Sequence, residues 1–430
     1  MNCSVQNPRL WSPLWLAAMG VLVIAQPADA TMPADPALMA AEIAALTAPQ
    51  LAGRGAGTPE ERAAAELIAR WFAEAGLQPA FAGDWRQDVP LPPDLGGRSV
   101  NVAGIAPGRG GLRDRWLVVG AHLDHLGRLD PAASGEPARG EYYPGAGDNA
   151  AGIAALLHVA RHATASATQG GERCDESSLP ARRSLLFCAF GAEEIGLLGS
   201  AHFTAEPPVP LAHVDAMINL DAVGRLDGGP LHAAGLESCV EFAGAVHAAA
   251  EGLPLAAPAG ASFQSDHVSF LARGIPSLFL FTNAYPEMNS PADSLAAVDL
   301  PGLARIAGAT ARLVEDLRAR VGPFTFQAPP PQSPTPDGNR QTWFGSTPDF
   351  SGRDGYRIAA LAADGPAAQA GLQAGDVLVS LGGTPVADLA EFTAALRRHA
   401  PGDVVEVVVE RGSRRLSFLV TLGERAQRLR

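Results

Sequence analysis

The chain contains no lysine: all 32 of its basic residues are arginine. That absence removes the P-loop lysine, Schiff-base chemistry and a lysine general base from the mechanisms open to it. Basic charge is short overall, 32 residues against 45 acidic for a net of -13, which argues against a nucleic-acid backbone as partner. Cysteine is scarce, with four in 430 residues. No GxSxG elbow marks a serine nucleophile. Long apolar runs are also missing; the longest candidate, residues 14–25, is too short for a bilayer span, which needs about 20 residues. Chemistry here must come from carboxylates, imidazoles, hydroxyls, thiols or a metal.

With 47% hydrophobic and 18% charged residues, the composition is that of a globular protein. The length suits two or three domains, each able to bury a core. Residues 1–30 read as a secretory signal peptide: Arg9 precedes the apolar run, and Ala28, Asp29 and Ala30 form a small-x-small cleavage pattern. The protein is therefore expected to be exported, periplasmic or secreted, with no membrane span after cleavage. Cleavage would remove Cys3 and leave Cys174, Cys188 and Cys239, an odd number that makes a disulfide framework improbable while permitting one bridge. Cys188, inside the apolar run 184–190, reads as a core residue.

Six prolines between Pro323 and Pro336 mark a spacer at 323–339, separating a domain over 31–322 from a small one over 340–424, with a tail at 425–430. In the first domain, Thr58-Pro59-Glu60-Glu61 opens a helix that ends at Gly76. Short continuous apolar strands are expected at 116–120, 184–190, 214–220 and 275–281, with helices over 150–162, 236–250 and 300–320. Such alternation predicts an α/β fold, a mostly parallel sheet with helices on both faces, whose ligands bind beyond the carboxyl ends of the strands. Residues 340–424 read as mainly β, with strands at 356–361, 377–381, 404–410 and 415–422 and one helix at 389–398.

Those strand ends carry metal-type ligands: His122, Asp124 and His125 after the first, Asp148 before the following helix, Glu193 and Glu194 after the second, and Asp221 after the third. Taken singly, Asp148 is an ordinary N-cap, Glu193-Glu194 an ordinary helix start and His125 an ordinary loop residue. Three strand ends and one helix start offering such ligands together point to a metal crevice, and the mixture of imidazole and carboxylate suits Zn²⁺.

The segments HLDHLG, GAGDNAAG, FGAEEIGLLGS and NLDAVGR, in that order, resemble the co-catalytic zinc exopeptidases, a family that includes aminopeptidase Y, bacterial leucyl aminopeptidases, glutamate carboxypeptidase and glutaminyl cyclase. The resemblance spans roughly residues 37 to 320. It implies that His122 and Asp221 hold one zinc, Glu194 another, and Asp148 bridges them; that Glu193 is the general base; and that Asp124 orients His122. The family's last ligand is a His in a segment like YHTPAD. Here the segment is MNSPADS, with Asn289 at the His position, so one zinc is expected to be firmly held and the second more weakly. His267, in Ser265-Asp266-His267, is a nearby His that could replace the ligand, but the family also carries SDH-like segments and a pocket or packing role is the expected one. The activity implied is that of an exported aminopeptidase acting on peptide or protein N-termini. A glutaminyl-cyclase-like or carboxypeptidase-like enzyme, or an impaired peptide-binding protein, are the alternatives.

GYRIAAL and GPAAQAGLQAGDVLVSLGGTPV resemble a bacterial PDZ domain. That resemblance implies a groove for C-terminal peptide segments, with Gly355, Tyr356, Arg357 and Ile358 receiving the terminal carboxylate and the 389–398 helix as the other wall. A small domain that only packs on the first or mediates assembly is the other reading.

Overall fold

The computed structural model describes Met1 and residues 33–93, 97–128, 142–168, 179–257, 265–283, 285–327, 342–348, 356–362, 365–387, 389–396, 398–412 and 414–424. The expected signal peptide, Cys174, Gly355, most of the Pro-rich spacer and the 425–430 tail lie outside them.

Nine strands form the larger sheet: β1 (Gln78–Pro79), β2 (Arg86–Pro90), β3 (Arg98–Ala106), β4 (Trp116–His122), β5 (Ser184–Phe190), β6 (Val214–Leu220), β7 (Leu231–Ala234), β8 (Leu255–Ala256) and β9 (Ser277–Phe281). The order is β1-β3-β5-β4-β6-β9-β7-β8, with β2 also on β3. The four central strands, β5, β4, β6 and β9, are parallel. They are flanked by antiparallel β3 and β7. Helices are α1 (Pro36–Leu46), α2 (Pro59–Glu74), α3 (Ala151–Thr168), α4 (Leu198–Ala205), α5 (Phe242–Ala249), α6 (His267–Leu271) and α7 (Leu300–Ala319).

Side chains on β5 divide between the two faces, as the strand period of two requires. Leu185, Phe187 and Ala189 join the core under α2, α3 and α7, whereas Leu186, Cys188 and Phe190 join a second cluster with Phe203 of α4 and Phe270 of α6. Every residue of β5 and β6 is buried; β5 is apolar after Ser184, whereas β6 carries the buried polar residues Asp215 and Asn219 among its apolar ones. Helix α2 begins as expected, with Thr58 Oγ1 accepting the Glu61 N–H and Pro59 at the first helical position.

Since β4 leads through α3 to β5 on one side, and β5 leads through α4 to β6 on the other, the connections part at β4. The crevice beyond the carboxyl ends of β4, β5 and β6 is such a switch point, where open α/β sheets bind ligands.

The chain stays on this unit past α7. Buried Arg183 pairs with Asp215 at 2.5 Å, donates to the Gly322 carbonyl at 2.6 Å and lies 4.8 Å from the Phe324 ring. Gln327 N–H donates to the Ser238 carbonyl at 2.9 Å.

Residues 342–424 build a second, antiparallel sheet ordered 346–348, 356–361, 377–381, 404–411 and 414–421 around its own core of Tyr356, Ile358, Leu378, Phe392, Val407 and neighbours. Among the described residues, no helix is long and apolar enough to cross a membrane.

Candidate metal centre

His122 is the last residue of β4, and its ring is fixed from both ends. Nδ1 lies 3.1 Å from the Asp124 carbonyl oxygen, while Nε2 lies 3.0 Å from both Asp148 Oδ1 and Asp221 Oδ1. A proton on Nδ1 donated to the carbonyl leaves the Nε2 lone pair facing the two carboxylates, the tautomer a metal ligand needs. Asp124 thus meets His122 through its backbone; its carboxylate serves the next loop, accepting the N–H of Glu193 at 3.0 Å and of Glu194 at 3.3 Å. That pair of bonds holds the turn after β5 so that both glutamates face the crevice.

Asp148 is not the cap of α3. Asn149 takes that part: its Oδ1 accepts the Gly152 N–H at 3.0 Å and its Nδ2 donates to the Leu220 carbonyl at 2.9 Å, tying the helix start to the end of β6. The Asp148 carboxylate is left for the crevice. Asp293 clamps the loop beneath it, accepting the Gly147 N–H at 2.9 Å and the Asp148 N–H at 3.2 Å. A Cβ at Gly147 would stand 1.9 Å from the Tyr285 hydroxyl, so only glycine lets the loop lie this close. Asp221 is steadied by Ser265, whose hydroxyl donates to Oδ2 at 2.8 Å and accepts from Asn219 Nδ2 at 2.8 Å.

Three ligand groups result, each with one donor atom per residue and all its atoms within 4.8 Å of one another: His122 with Asp148 and Asp221, His125 with Asp148 and Glu194, and His122 with Glu193 and Glu194. The first two share Asp148. His125 is 1% exposed, and its Nδ1 lies 2.7 Å from Glu194 Oε1.

Electrostatics fit a cation here. Burial, with Glu194 adding to it, raises the Asp148 carboxyl. Burial pushes the Asp124 carboxyl up to about 6, and burial together with the Asp221 and Glu194 charges raises Glu193 well above its usual range. Burial opposes a proton on His122, but the charges of Asp221 and Glu193 outweigh it and raise this imidazole. A crevice this rich in carboxylates is short of positive charge, which a divalent ion would supply. The donor set of imidazole and carboxylate fits zinc.

Two further residues weighed as ligands from the sequence are placed differently, although His267 remains within electrostatic reach of Asp221. Asn289 is exposed at a turn with φ of +57°, a left-handed conformation that asparagine tolerates. His267 is buried with its ring stacked on Phe279 at 4.8 Å and 12°, and burial lowers its pKa to about 4; it belongs to none of the three groups. His125, read as a loop residue, joins them instead. Its signal was its place three residues after His122. Arg54 was also missed: this fully buried guanidinium donates to the carbonyls of Leu46, Leu123, Pro144 and Gly145, lacing together the loops that carry the ligands.

In the small domain, Tyr356 and Ile358 are buried in a strand paired on one side with 346–348 and on the other with 377–381. Its backbone groups are therefore not an open edge; Ile358 N–H already donates to the Asp376 carbonyl at 2.8 Å. Strand 346–348 is the edge, and Phe344, just before it, packs on Phe392 of the 389–396 helix at 5.4 Å. Arg357 is half-buried and donates to the Gly375 carbonyl at 3.1 Å.

Residues 101–314 match peptidase family M28, and residues 344–422 match the PDZ domain. Aminopeptidase YwaD of Bacillus subtilis (strain 168) is 30% identical over 127 residues, which are 29% of this chain and 22% of that relative, so the match spans under a quarter of its length. A zinc aminopeptidase from Bacillus subtilis superposes with a TM-score of 0.51 at 19% identity, covering 66% of this chain and 96% of that one. Glutaminyl cyclase from Porphyromonas gingivalis gives 0.52 at 18% identity over 66% and 99%. At these identities the structures share the fold.

Proposed function

Residues 101–314 belong to peptidase family M28 and residues 344–422 to the PDZ domains, and from that premise we propose that the chain is a zinc aminopeptidase that removes N-terminal residues from peptides or proteins. The observation that carries this reading is the convergence of His122, Asp148, Glu193, Glu194 and Asp221 at the carboxyl end of the parallel sheet. His122, Asp148 and Asp221 would hold one zinc ion, and Asp148 with Glu194 would contribute to a second. When bound, zinc acts as a Lewis acid on the scissile carbonyl and makes water more acidic.

The chain's own residues supply the remainder. Glu193 stands beside the His122 group on a turn held by Asp124, where its carboxylate can take a proton from the attacking water. The same carboxyl then returns that proton to the departing amine. Asp124 keeps His122 in the ligating tautomer through its carbonyl and keeps Glu193 aimed through its carboxylate.

The excess of carboxylates supports an amino-terminal preference, because a substrate ammonium is attracted here and a terminal carboxylate repelled. The PDZ domain would take an extended peptide along its 346–348 edge, beside the 389–396 helix. The apolar run at residues 14–25 and the Ala28-Asp29-Ala30 site support export.

A panel of aminoacyl amides, amino-terminal glutaminyl peptides and peptides with free carboxyl ends tests the reading. Hydrolysis of the amides is expected; cyclisation of the glutaminyl peptides or carboxy-terminal trimming in its place would overturn it.

A further inference from the structure

Asp148 belongs to two ligand groups, and the second is short of a donor if only Asp148 and Glu194 serve it. We infer that His125 completes that second zinc position, in place of any ligand from the 288–294 segment. The inference rests on the zinc-peptidase reading above and goes beyond it in naming the residue that makes the second position as fully liganded as the first.

The geometry supports His125 in three ways. Its Nδ1 already lies 2.7 Å from Glu194 Oε1, and one of its ring nitrogens falls with Asp148 and Glu194 inside the 4.8 Å group. Its ring is held in place: the backbone N–H donates to the Arg54 carbonyl at 3.2 Å, Tyr143 packs edge-on at 6.5 Å and 78°, and Gly145 passes beneath. A Cβ at Gly145 would stand 2.5 Å from the His125 ring, so the approach depends on a glycine that also adopts φ of +61°. Finally, Nε2 of this fully enclosed ring has no hydrogen-bond partner in the structure. An imidazole buried beside two carboxylates, with its Nδ1 turned to Glu194, is built for a ligand.

The alternative donor is poorly placed. Asn289 is exposed on a turn, and an amide oxygen is a weaker donor to zinc than imidazole. What the 288–294 segment does contribute is Asp293, the clamp on the Asp148 loop.

Zinc per chain, measured by mass spectrometry after gel filtration in low free zinc, tests the assignment, with circular dichroism as the control for folding. The full chain is expected to hold two zinc ions. His125→Gln should hold one, its second zinc weakened by more than the roughly 10–100-fold that loss of an outer-shell partner costs. Asn289→Ala and His267→Ala should each retain two. Cobalt substitution adds a spectroscopic readout: His125→Gln should lose the visible bands of one of two sites.

Two zinc ions in His125→Gln, or one in Asn289→Ala, would overturn the inference; the second variant decides the matter even if the first misfolds. One zinc in the wild type would overturn it as well. A wild type that binds no zinc would instead overturn the metallopeptidase reading itself.

Discussion

Replacing Arg54 with methionine tests the claim that this crevice is assembled by a buried cation. The guanidinium donates to Leu46 O at 2.7 Å, Pro144 O at 2.8 Å, Leu123 O at 2.9 Å and Gly145 O at 3.0 Å. It is 1% exposed, and burial alone drives its pKa down to about 10, against the support of Asp124, Asp293, Asp148 and Glu194. The side chain therefore remains charged at neutral pH. Each charge-assisted hydrogen bond contributes about 1.5–3 kcal/mol, but the four share one desolvated group and will not add. Loss of one partner from a buried charged network costs about 3–5 kcal/mol. At about 2 °C per kcal/mol for a domain of this size, Arg54→Met should lower the melting temperature by roughly 6–10 °C. Arg54→Lys keeps the charge but presents a compact ammonium that cannot match the planar fork, so about half that loss is expected. Differential scanning calorimetry reads both values. A shift under about 2 °C in Arg54→Met, or a lysine variant less stable than the methionine one, would show that the buried guanidinium does not hold these loops together. Because Leu123 lies between His122 and Asp124, and Gly145 beneath His125, zinc affinity should fall together with the melting temperature.

Three further outcomes are expected. Glu193→Gln should lose about 10²–10⁴-fold in turnover while keeping its zinc, as a general base does; near-normal turnover in steady-state assays would remove Glu193 from that role. Glu61 is fully buried with Gly57 N–H donating to Oε2 at 2.6 Å and the Ser99 hydroxyl at Oε1, and burial lifts its pKa from 4.5 to about 8. Its neutral form is the one the fold favours, so stability should fall as pH rises from about 5 to about 8; Glu61→Gln should remove that slope, a difference of a few kcal/mol by pH 9 in urea unfolding. A chain ending at Gln327 should fold and hydrolyse a small aminoacyl amide like the full protein, whereas one ending at Gly322 should be less stable, having lost Phe324 from the Arg183 face and the Gln327 bond to Ser238.

Much of this architecture is legible in the sequence because it follows from burial. Strands 184–190 and 214–220 run where the continuous apolar stretches place them, both faces being covered by helices. Strand β3 is harder to read: RSVNVAGIA carries Asn101, whose side chain donates to the Gly199 carbonyl at 2.9 Å, and Gly104, which lies against Leu77 and Trp85. The expected helix over 236–250 begins only at Phe242, since Gly235 turns left-handed and Ser238 bonds to the Ser277 backbone. The candidate ligands at strand ends, His122 and Asp221, are legible for the same reason as the strands. His125, Arg54 and Asp293 are not, because each acts through contacts between loops far apart in the chain: Arg54 reaches Leu123 across 69 residues, and Asp293 reaches Gly147 across 146. Nothing local distinguishes Arg54 from a surface arginine or Asp293 from a turn aspartate, and the one local signal of His125 is its place three residues after His122.

The central claim is that catalysis depends on metal held by His122, Asp148 and Asp221. Its most direct measurement is the rate of aminoacyl amide hydrolysis by the full chain after exhaustive chelation, with residual zinc quantified in the same sample, and again after zinc is returned. Hydrolysis should be lost as zinc leaves and recover as it is restored, with His122→Ala showing no recovery. Full activity in protein verified to be metal-free would contradict it.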